Sequence, residues 1–122
     1  MARTPRKTKP PKKVQAFFYA TPGGKEPVRD WLKDLDDEDR KIIGQDIATV
    51  EYGWPIGMPT CRAMGDGLFE VRSSLTGKRI ARVLFCTAEE KLVLLHGFIK
   101  KTKTTPKEDL ALAKKRKKEL EK

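Results

Sequence analysis

Four side chains that can bind or cleave a phosphodiester are spaced along residues 67–104 so that a β-sheet could bring them together. They are Arg72, Arg82, His96 and Lys100. Clustered guanidinium and ammonium groups hold phosphate oxygens through charge-assisted hydrogen bonds, and histidine is the residue type that most readily exchanges protons near neutral pH. If neighbouring strands align their faces, the four side chains converge on one side of the sheet. Such a cluster on a rigid sheet suggests a phosphate-rich ligand.

Three predicted strands position these side chains. Residues 68–73 alternate in character, which is typical of a strand with one covered face, and put Arg72 on the face opposite Val71. Residues 79–87 are apolar on both faces apart from Arg82, as expected of a central strand. Residues 91–101 form the third strand. One of its faces carries Leu92, Leu94, His96, Phe98 and Lys100, and the other carries Val93, Leu95, Gly97 and Ile99.

The other elements are predicted from apolar periodicity and from helix signals. Residues 14–20 are apolar and aromatic and are expected to form an edge strand, whereas residues 54–66 are rich in proline and glycine and are predicted to be a connection. One helix carries an apolar stripe at Val28, Trp31, Leu32 and Leu35. The acidic residues 36–39 begin a second helix, and a capping box at residues 105–108 opens a last one. The order β-α-α-β-β-β-α predicts an α+β domain, with a small antiparallel sheet, two N-terminal helices packed on one face and a C-terminal helix.

Length and charge limit the number of domains and the class of partner. The 122 residues suffice for one domain, which we expect over residues 14–118. The net charge of +10 is divided into +6 in residues 1–13, −2 in residues 14–99 and +6 in residues 100–122. We interpret residues 1–13 as a flexible basic arm and residues 119–122 as a charged end. Basic ends favour an anionic partner such as nucleic acid through counterion release; the alternative is a pair of solubilising tails.

Several other classes of function are not indicated. No apolar run approaches the roughly 20 residues of a membrane span, and the N-terminus lacks the apolar region of a secretory signal, so a cytoplasmic protein is expected. The isolated Cys61 and Cys86 and the single histidine form no zinc-binding pattern. We predict no metal and no cofactor. The acidic residues 36–39 are explained by the N-terminus of a helix and need no catalytic role.

Several segments carry a resemblance to a known protein family. They are residues 67–72 (GLFEVR), 82–85 (RVLF) and 94–102 (LLHGFIKKT), followed by Thr105-Pro106 and a helix with Ala113 and Arg116. In the predicted order of elements, these segments resemble the RelE/ParE toxin superfamily, and most closely its phage-derived HigB-like branch. The resemblance covers about residues 14–118.

The resemblance implies the toxin of a type II toxin–antitoxin system that cleaves mRNA on the ribosome. Its partners would be the ribosome, mRNA and a cognate antitoxin, often a helix-turn-helix protein, and no membrane. It places Arg82 on a strand arginine implicated in catalysis, Arg72 on a second strand arginine, and Lys100 and Lys101 on a basic cluster before the last helix. Some relatives use a C-terminal tyrosine, which this chain lacks. Others use an Asp and a His, and His96 is the one histidine of the chain.

Metal-independent RNA cleavage gives each candidate residue a role. The adjacent 2′-hydroxyl attacks phosphorus, so the reaction needs a base, an acid and cations for the charged phosphorane. Arg82 and Arg72 are assigned to the phosphorane, together with Lys100 among the catalytic cations, and His96 is assigned to proton transfer. Lys101, Lys103 and Arg79 are predicted to grip the RNA.

Each assignment has a structural alternative. His96 could be a hydrogen-bonded residue of an apolar strand, Arg72 could pair with Glu70 or with an acid of the second helix, and residues 100–103 could guard a sheet edge. A structural Arg82 would be paired, whereas an arginine kept for a transition state could be replaced with little loss of stability. Two other functions stay open on the same fold, a gyrase inhibitor of the ParE kind and a non-catalytic basic nucleic-acid-binding protein derived from a toxin.

Overall fold

The computed structural model describes residues 12–101 and 104–121, and within them the chain forms five strands and three helices. In chain order these are β1 (Gln15–Phe18), α1 (Pro27–Lys33), α2 (Asp37–Gly53), β2 (Cys61–Gly65), β3 (Leu68–Ser74), β4 (Ile80–Ala88), β5 (Lys91–Lys100) and α3 (Lys107–Leu120). A short 3₁₀ turn at Thr76–Lys78 separates β3 from β4. The predicted α+β class is confirmed, with two N-terminal helices and a C-terminal helix.

The strands form one mixed sheet in the order β1-β5-β4-β3-β2. The strands β2 to β5 pair antiparallel, whereas β1 joins the edge of β5 in parallel. The edge position of β1 agrees with the prediction from the sequence. The strand β2 was not predicted, because it lies within residues 54–66, which are predicted to be a connection. Of the five residues of β2, Cys61 alone is buried, so no alternation of apolar and polar residues marks this strand.

A β-bulge at Leu95 changes which side chains of β5 share a face. Leu84 pairs with His96, but its neighbour Phe85 pairs with Leu94, so Leu95 is the extra residue. Leu94 therefore packs in the core under α1 and α2, whereas strict alternation places it on the face of His96. Beyond the bulge, β5 keeps the predicted alternation up to its end.

Two apolar cores lie on opposite faces of the sheet. The helices α1 and α2 cover one face with buried residues that include Val28, Ile43, Ile47 and Val50. On the opposite face, Ala113 of α3 packs against Leu84 and Leu95. The central strand β4 is buried on both faces along most of its length, which explains its apolar sequence.

Gly97 lets α1 approach β5 closely. The indole ring of Trp31 lies over this glycine, and a Cβ on Gly97 would lie 2.4 Å from Cζ3 of Trp31. That separation is far shorter than a van der Waals contact, so a larger residue cannot fit without moving α1.

Replacing Gly97 with alanine is expected to destabilise the protein by about 1–3 kcal/mol, because the added methyl group pushes Trp31 off the sheet. Chemical denaturation followed by tryptophan fluorescence measures this loss. Gly44→Ala in α2 is the matched control, since a Cβ there would meet no atom within 4 Å apart from its chain neighbours and the backbone of its own helix, and a helical position should gain about 0.5–1 kcal/mol. A Gly97→Ala protein as stable as the parent would contradict the close packing of α1.

Glu51, near the end of α2, covers the outer edge of β1. Its Oε2 accepts a hydrogen bond from the backbone N–H of Ala16 at 2.7 Å, and its Oε1 lies 2.9 Å from Nζ of Lys12. Its backbone carbonyl accepts from the N–H of Lys13 at 3.0 Å. An edge occupied in this way is protected from pairing with another strand. Of the predicted arm, residues 1–11 lie outside the described residues, whereas Lys12 and Lys13 contact Glu51.

Candidate active site

The four predicted catalytic side chains project from the face of the sheet on which α3 packs. Arg72 is the register partner of Arg82, His96 pairs with Leu84, and Lys100 pairs with Ile80. Because directly opposed residues of neighbouring strands share a face, the convergence expected from the sequence is present at the level of the backbone. The side chains nevertheless divide into a partly exposed group and a buried group.

The partly exposed group, the His96 cluster, consists of His96, Asp109 and Lys100 where the start of α3 meets β5. Nε2 of His96 lies 2.6 Å from Oδ1 of Asp109, and Nζ of Lys100 lies 3.4 Å from Oδ2. The imidazole stacks on Phe98 with 5.5 Å between ring centroids. The side chains of His96 and Asp109 are 18% and 15% exposed, so the cluster is accessible from one side.

The Asp109 carboxylate determines which nitrogen of His96 carries the proton. Since a carboxylate accepts hydrogen bonds, a neutral imidazole places its proton on Nε2 and leaves the lone pair on Nδ1. A histidine oriented in this way can accept a proton from a hydroxyl group. Sequence reasoning missed Asp109 because an acid in the first turn of a helix is explained by the helix dipole. The one available signal is that the predicted capping box already uses Glu108. That box is not formed in the structure, because Pro106 is the N-cap of α3 and the Thr105 hydroxyl donates to Glu70 instead.

Arg82 and Glu70 form the buried group. Their side chains are 0% and 1% exposed, and Nε of Arg82 lies 3.8 Å from Oε2 of Glu70. The same oxygen accepts a hydrogen bond from the hydroxyl of Thr105. Burial lowers the pKa of the Arg82 guanidinium, and the Glu70 carboxylate partly opposes this effect. Glu70 is thus the partner that a structural arginine requires, and contact of Arg82 with a phosphate stays a prediction.

Arg72 lies on β3 beside the buried group, and β4 separates it from the His96 cluster on β5. Its Nε is 3.9 Å from Oε1 of Glu70, and its side chain is 23% exposed. It also lines a cavity of about 530 Å³ whose other walls are Ile42, Asp46, Met58, Pro59, Thr60, Ser74 and Ile80. Ile80 in its wall is the register partner of Lys100, whereas Ile42 and Asp46 belong to α2, which covers the other face of the sheet. Of the two predicted catalytic arginines, Arg72 is the one with access to solvent.

The three residues predicted to grip RNA have different surroundings. Arg79 donates two hydrogen bonds to the carboxylate of Asp39, at 2.8 and 3.0 Å, and one to the carbonyl of Thr76 at 2.9 Å. The Arg79 guanidinium holds the pKa of Asp39 below its ordinary value, and the contact ties the turn after β3 to α2. Lys101 is exposed directly after β5, and Lys103 lies outside the described residues. RNA binding by all three stays a prediction.

Arg116 and Tyr19 fasten the second half of α3 to the sheet. Nη1 of Arg116 donates to the carbonyl of Leu95 at 2.7 Å, and its guanidinium lies 5.6 Å from the centroid of the Tyr19 ring. The hydroxyl of Tyr19 donates to Glu119, which raises the pKa of the phenol. These contacts fix α3 on the sheet and so help to hold Asp109 against His96.

A family match covers most of this fold. Residues 30–118 match the family described as phage derived protein Gp49-like (DUF891), which is more than half of the chain. The chain belongs to this Gp49-like family. The match includes the His96 cluster and the Glu70–Arg82 pair. No similar protein was found among the curated proteins.

The Gp49-like family is a RelE/HigB-like family, so the resemblance in the sequence is confirmed at the level of the family. Placement in the HigB-like branch itself stays a prediction. Metal and cysteine chemistry have no evident site among the described residues of this Gp49-like protein: no three His, Cys, Asp or Glu side chains are grouped as metal ligands. Burial raises the pKa of the Cys61 thiol to about 11 and also raises that of Cys86, which makes both poor nucleophiles. Within the same residues, no helix has the length and apolar character to cross a bilayer.

Proposed function

We propose that this Gp49-like protein is the toxin of a type II toxin–antitoxin system and that it cleaves mRNA on the ribosome without a metal ion. The observation that carries the proposal is the His96 cluster: an oriented histidine, a carboxylate that fixes its tautomer and a neighbouring ammonium group. Arg72 adds a partly exposed guanidinium on the same face of the sheet. The family match and the sequence resemblance support the toxin role.

The cluster can perform each step of cleavage by the 2′-hydroxyl. Nδ1 of His96 accepts the proton of the 2′-hydroxyl, and the 2′-oxygen attacks phosphorus. The bond from phosphorus to the 5′-oxygen breaks, leaving a 2′,3′-cyclic phosphate on one product and a 5′-hydroxyl on the other. The Lys100 ammonium donates the proton that the leaving 5′-oxygen takes. Arg72 stabilises the negative charge of the phosphorane, since a fixed guanidinium needs no reorganisation during the reaction.

The same arrangement favours cleavage over the two other functions open to this fold. A ParE-like gyrase inhibitor or a non-catalytic RNA-binding protein has no need of a carboxylate that orients a histidine. The cognate antitoxin, which we propose to be a helix-turn-helix protein, would shield the cationic side chains with an acidic segment.

Inducible expression in a bacterial host tests the function. Growth should stop, and new mRNA 5′ ends should appear inside translated reading frames. With purified protein, the same cuts should appear when ribosomes are present and should be absent from bare mRNA. Breaks in DNA that depend on gyrase, without new mRNA ends, would support the gyrase inhibitor instead. Unimpaired growth at high expression would contradict the toxin role.

A further inference from the structure

A groove runs between the second half of α3 and the turn that joins β2 to β3. Its volume is about 690 Å³. It is lined by Asp66, Ala111, Lys114, Lys115, Lys117, Lys118 and Glu121. We call it the α3 groove. It is separate from the His96 cluster, which lies at the other end of α3.

Two ion pairs fix the inner lysines of the α3 groove. Nζ of Lys114 lies 2.9 Å from Oδ2 of Asp66, and Nζ of Lys117 lies 2.8 Å from Oε2 of Glu121. The glycine after Asp66 gives the Lys117 side chain room, since a Cβ on Gly67 would lie 3.0 Å from Cε of Lys117. Two ammonium groups of the groove thus lie beside carboxylates of the same groove.

The outer lysines of the groove have no such partners. Lys115 and Lys118 are exposed, and neither forms an ion pair with any of residues 12–101 or 104–121. With four lysines against two carboxylates, the lining carries an excess of positive charge. Two unpaired ammonium groups beside two that are paired fit a ligand that bears several negative charges in a row.

The opposite face of the molecule carries the opposite charge. The helices α1 and α2 cover that face, and residues 27–53, which span both helices and their connection, contain eight acidic and four basic residues. Residues 112–118 of α3 contain five basic residues and no acidic one. A polyanion is therefore attracted to the α3 side of the sheet and repelled from the α1–α2 side.

We propose that the α3 groove binds the phosphodiester backbone of RNA and so orients the protein on its substrate. The choice of RNA rests on the proposed function. Lysine supplies point charges without the planar fork that reads base edges, so the contact is expected to be independent of sequence. Asp109 and Lys118 are separated by nine residues of helix, or about 13 Å. Nine positions also turn the helix by about 180°, so an RNA strand that reaches both the groove and the His96 cluster must wind partly around α3.

Charge reversal with a matched control tests the proposal. The probe is a fluorescent single-stranded RNA of 2′-O-methyl nucleotides, which lacks the 2′-hydroxyl and cannot be cleaved. The test variant is Lys115→Glu with Lys118→Glu, and the control is Lys33→Glu with Lys41→Glu on α1 and α2. All four lysines are exposed, and each pair of substitutions lowers the net charge equally. Fluorescence anisotropy at several salt concentrations gives the affinity and its salt dependence.

The groove variant should bind the probe at least ~10-fold more weakly at moderate salt. The slope of log affinity against log salt concentration should become shallower by about 1.4, because two contacts to single-stranded phosphates are lost. The control should keep the slope of the parent protein. Equal losses in both variants would mean that net charge alone matters, and an unchanged groove variant would mean that the groove is not used; either result overturns the proposal. A DNA strand of the same sequence is the second probe. If it binds the parent protein more tightly than the RNA probe does, and the groove variant loses affinity for it equally, the assignment to RNA is overturned.

The result is independent of whether the protein cleaves RNA. The probe contains no nucleophile, and the groove variant keeps His96, Asp109 and Lys100. If the protein does not cleave RNA, the difference in binding between the two variants is still expected. If the groove does not bind RNA, cleavage by the His96 cluster is neither supported nor contradicted. Thermal melting followed by circular dichroism confirms that both variants are folded.

Discussion

Arg82→Ala is expected to destabilise the protein by about 3–5 kcal/mol, because it leaves the carboxylate of Glu70 in the interior without its cationic partner. Arg82 and Glu70 are both almost completely buried, and the distance between Nε and Oε2 is 3.8 Å. Urea unfolding followed by far-UV circular dichroism measures the loss. A change of this size is a large part of the total stability of a domain of this length.

Two further variants keep this prediction decisive. Arg29→Ala removes an exposed arginine of α1 whose ion pair with Glu26 spans 3.8 Å, and it should cost less than ~1 kcal/mol. Arg82→Met combined with Glu70→Leu removes both charges and should recover most of the lost stability. If the single Arg82→Ala protein is as stable as the Arg29→Ala control, the buried pair is not structural. If the double variant folds but no longer cleaves RNA, the Arg82–Glu70 pair has a role beyond stability.

His96→Ala is expected to lower RNA cleavage by about 10²–10⁴-fold, because the proposed reaction loses the group that accepts the proton of the 2′-hydroxyl. Asp109→Asn should lower it by at least ~10-fold, since an amide at this position can donate to Nε2 and favour the wrong tautomer. Both side chains are partly exposed, so the melting temperature should change little. Single-turnover cleavage of mRNA on purified ribosomes measures the rates.

Glu108→Gln is the control for these substitutions. Glu108 is the exposed neighbour of Asp109 in the first turn of α3, so its replacement changes the same helix end without touching His96. Its cleavage rate should equal that of the parent protein. A His96→Ala protein that is folded and fully active would place the catalytic base elsewhere. Equal losses in Glu108→Gln and Asp109→Asn would mean that the charge of the helix end matters and that orientation of His96 does not.

Most of the fold could be predicted because its elements have regular apolar patterns. The stripe on α1, the alternation of β3 and the doubly apolar β4 each follow from burial against a neighbouring layer. Two features of the fold could not be predicted from the sequence. The strand β2 lies at an edge with one buried residue, so it leaves almost no pattern. The bulge at Leu95 is set by pairing with β4, which no local periodicity records.

The candidate site was partly predictable for the same physical reason. Strand alternation and register bring Arg72, Arg82, His96 and Lys100 to one face, and both can be inferred from the sequence. Burial of Arg82 cannot, because it depends on how α3 and Thr105 cover Glu70 on the next strand. Asp109 approaches His96 only through the packing angle of α3. Contacts between separate elements therefore decided which predicted residues are accessible.

The pairing of β1 with β5 affects when a newly made molecule can act. β1 lies at the start of the described chain, yet Gln15 pairs with Lys91, so β1 has no strand partner until most of the protein has been synthesised. Such long-range pairing is a late step of folding, and Asp109 follows β5 still later in the chain. A growing polypeptide therefore lacks both the finished sheet and the His96 cluster. An mRNA-cleaving toxin built in this way would spare its own transcript until its synthesis is almost complete.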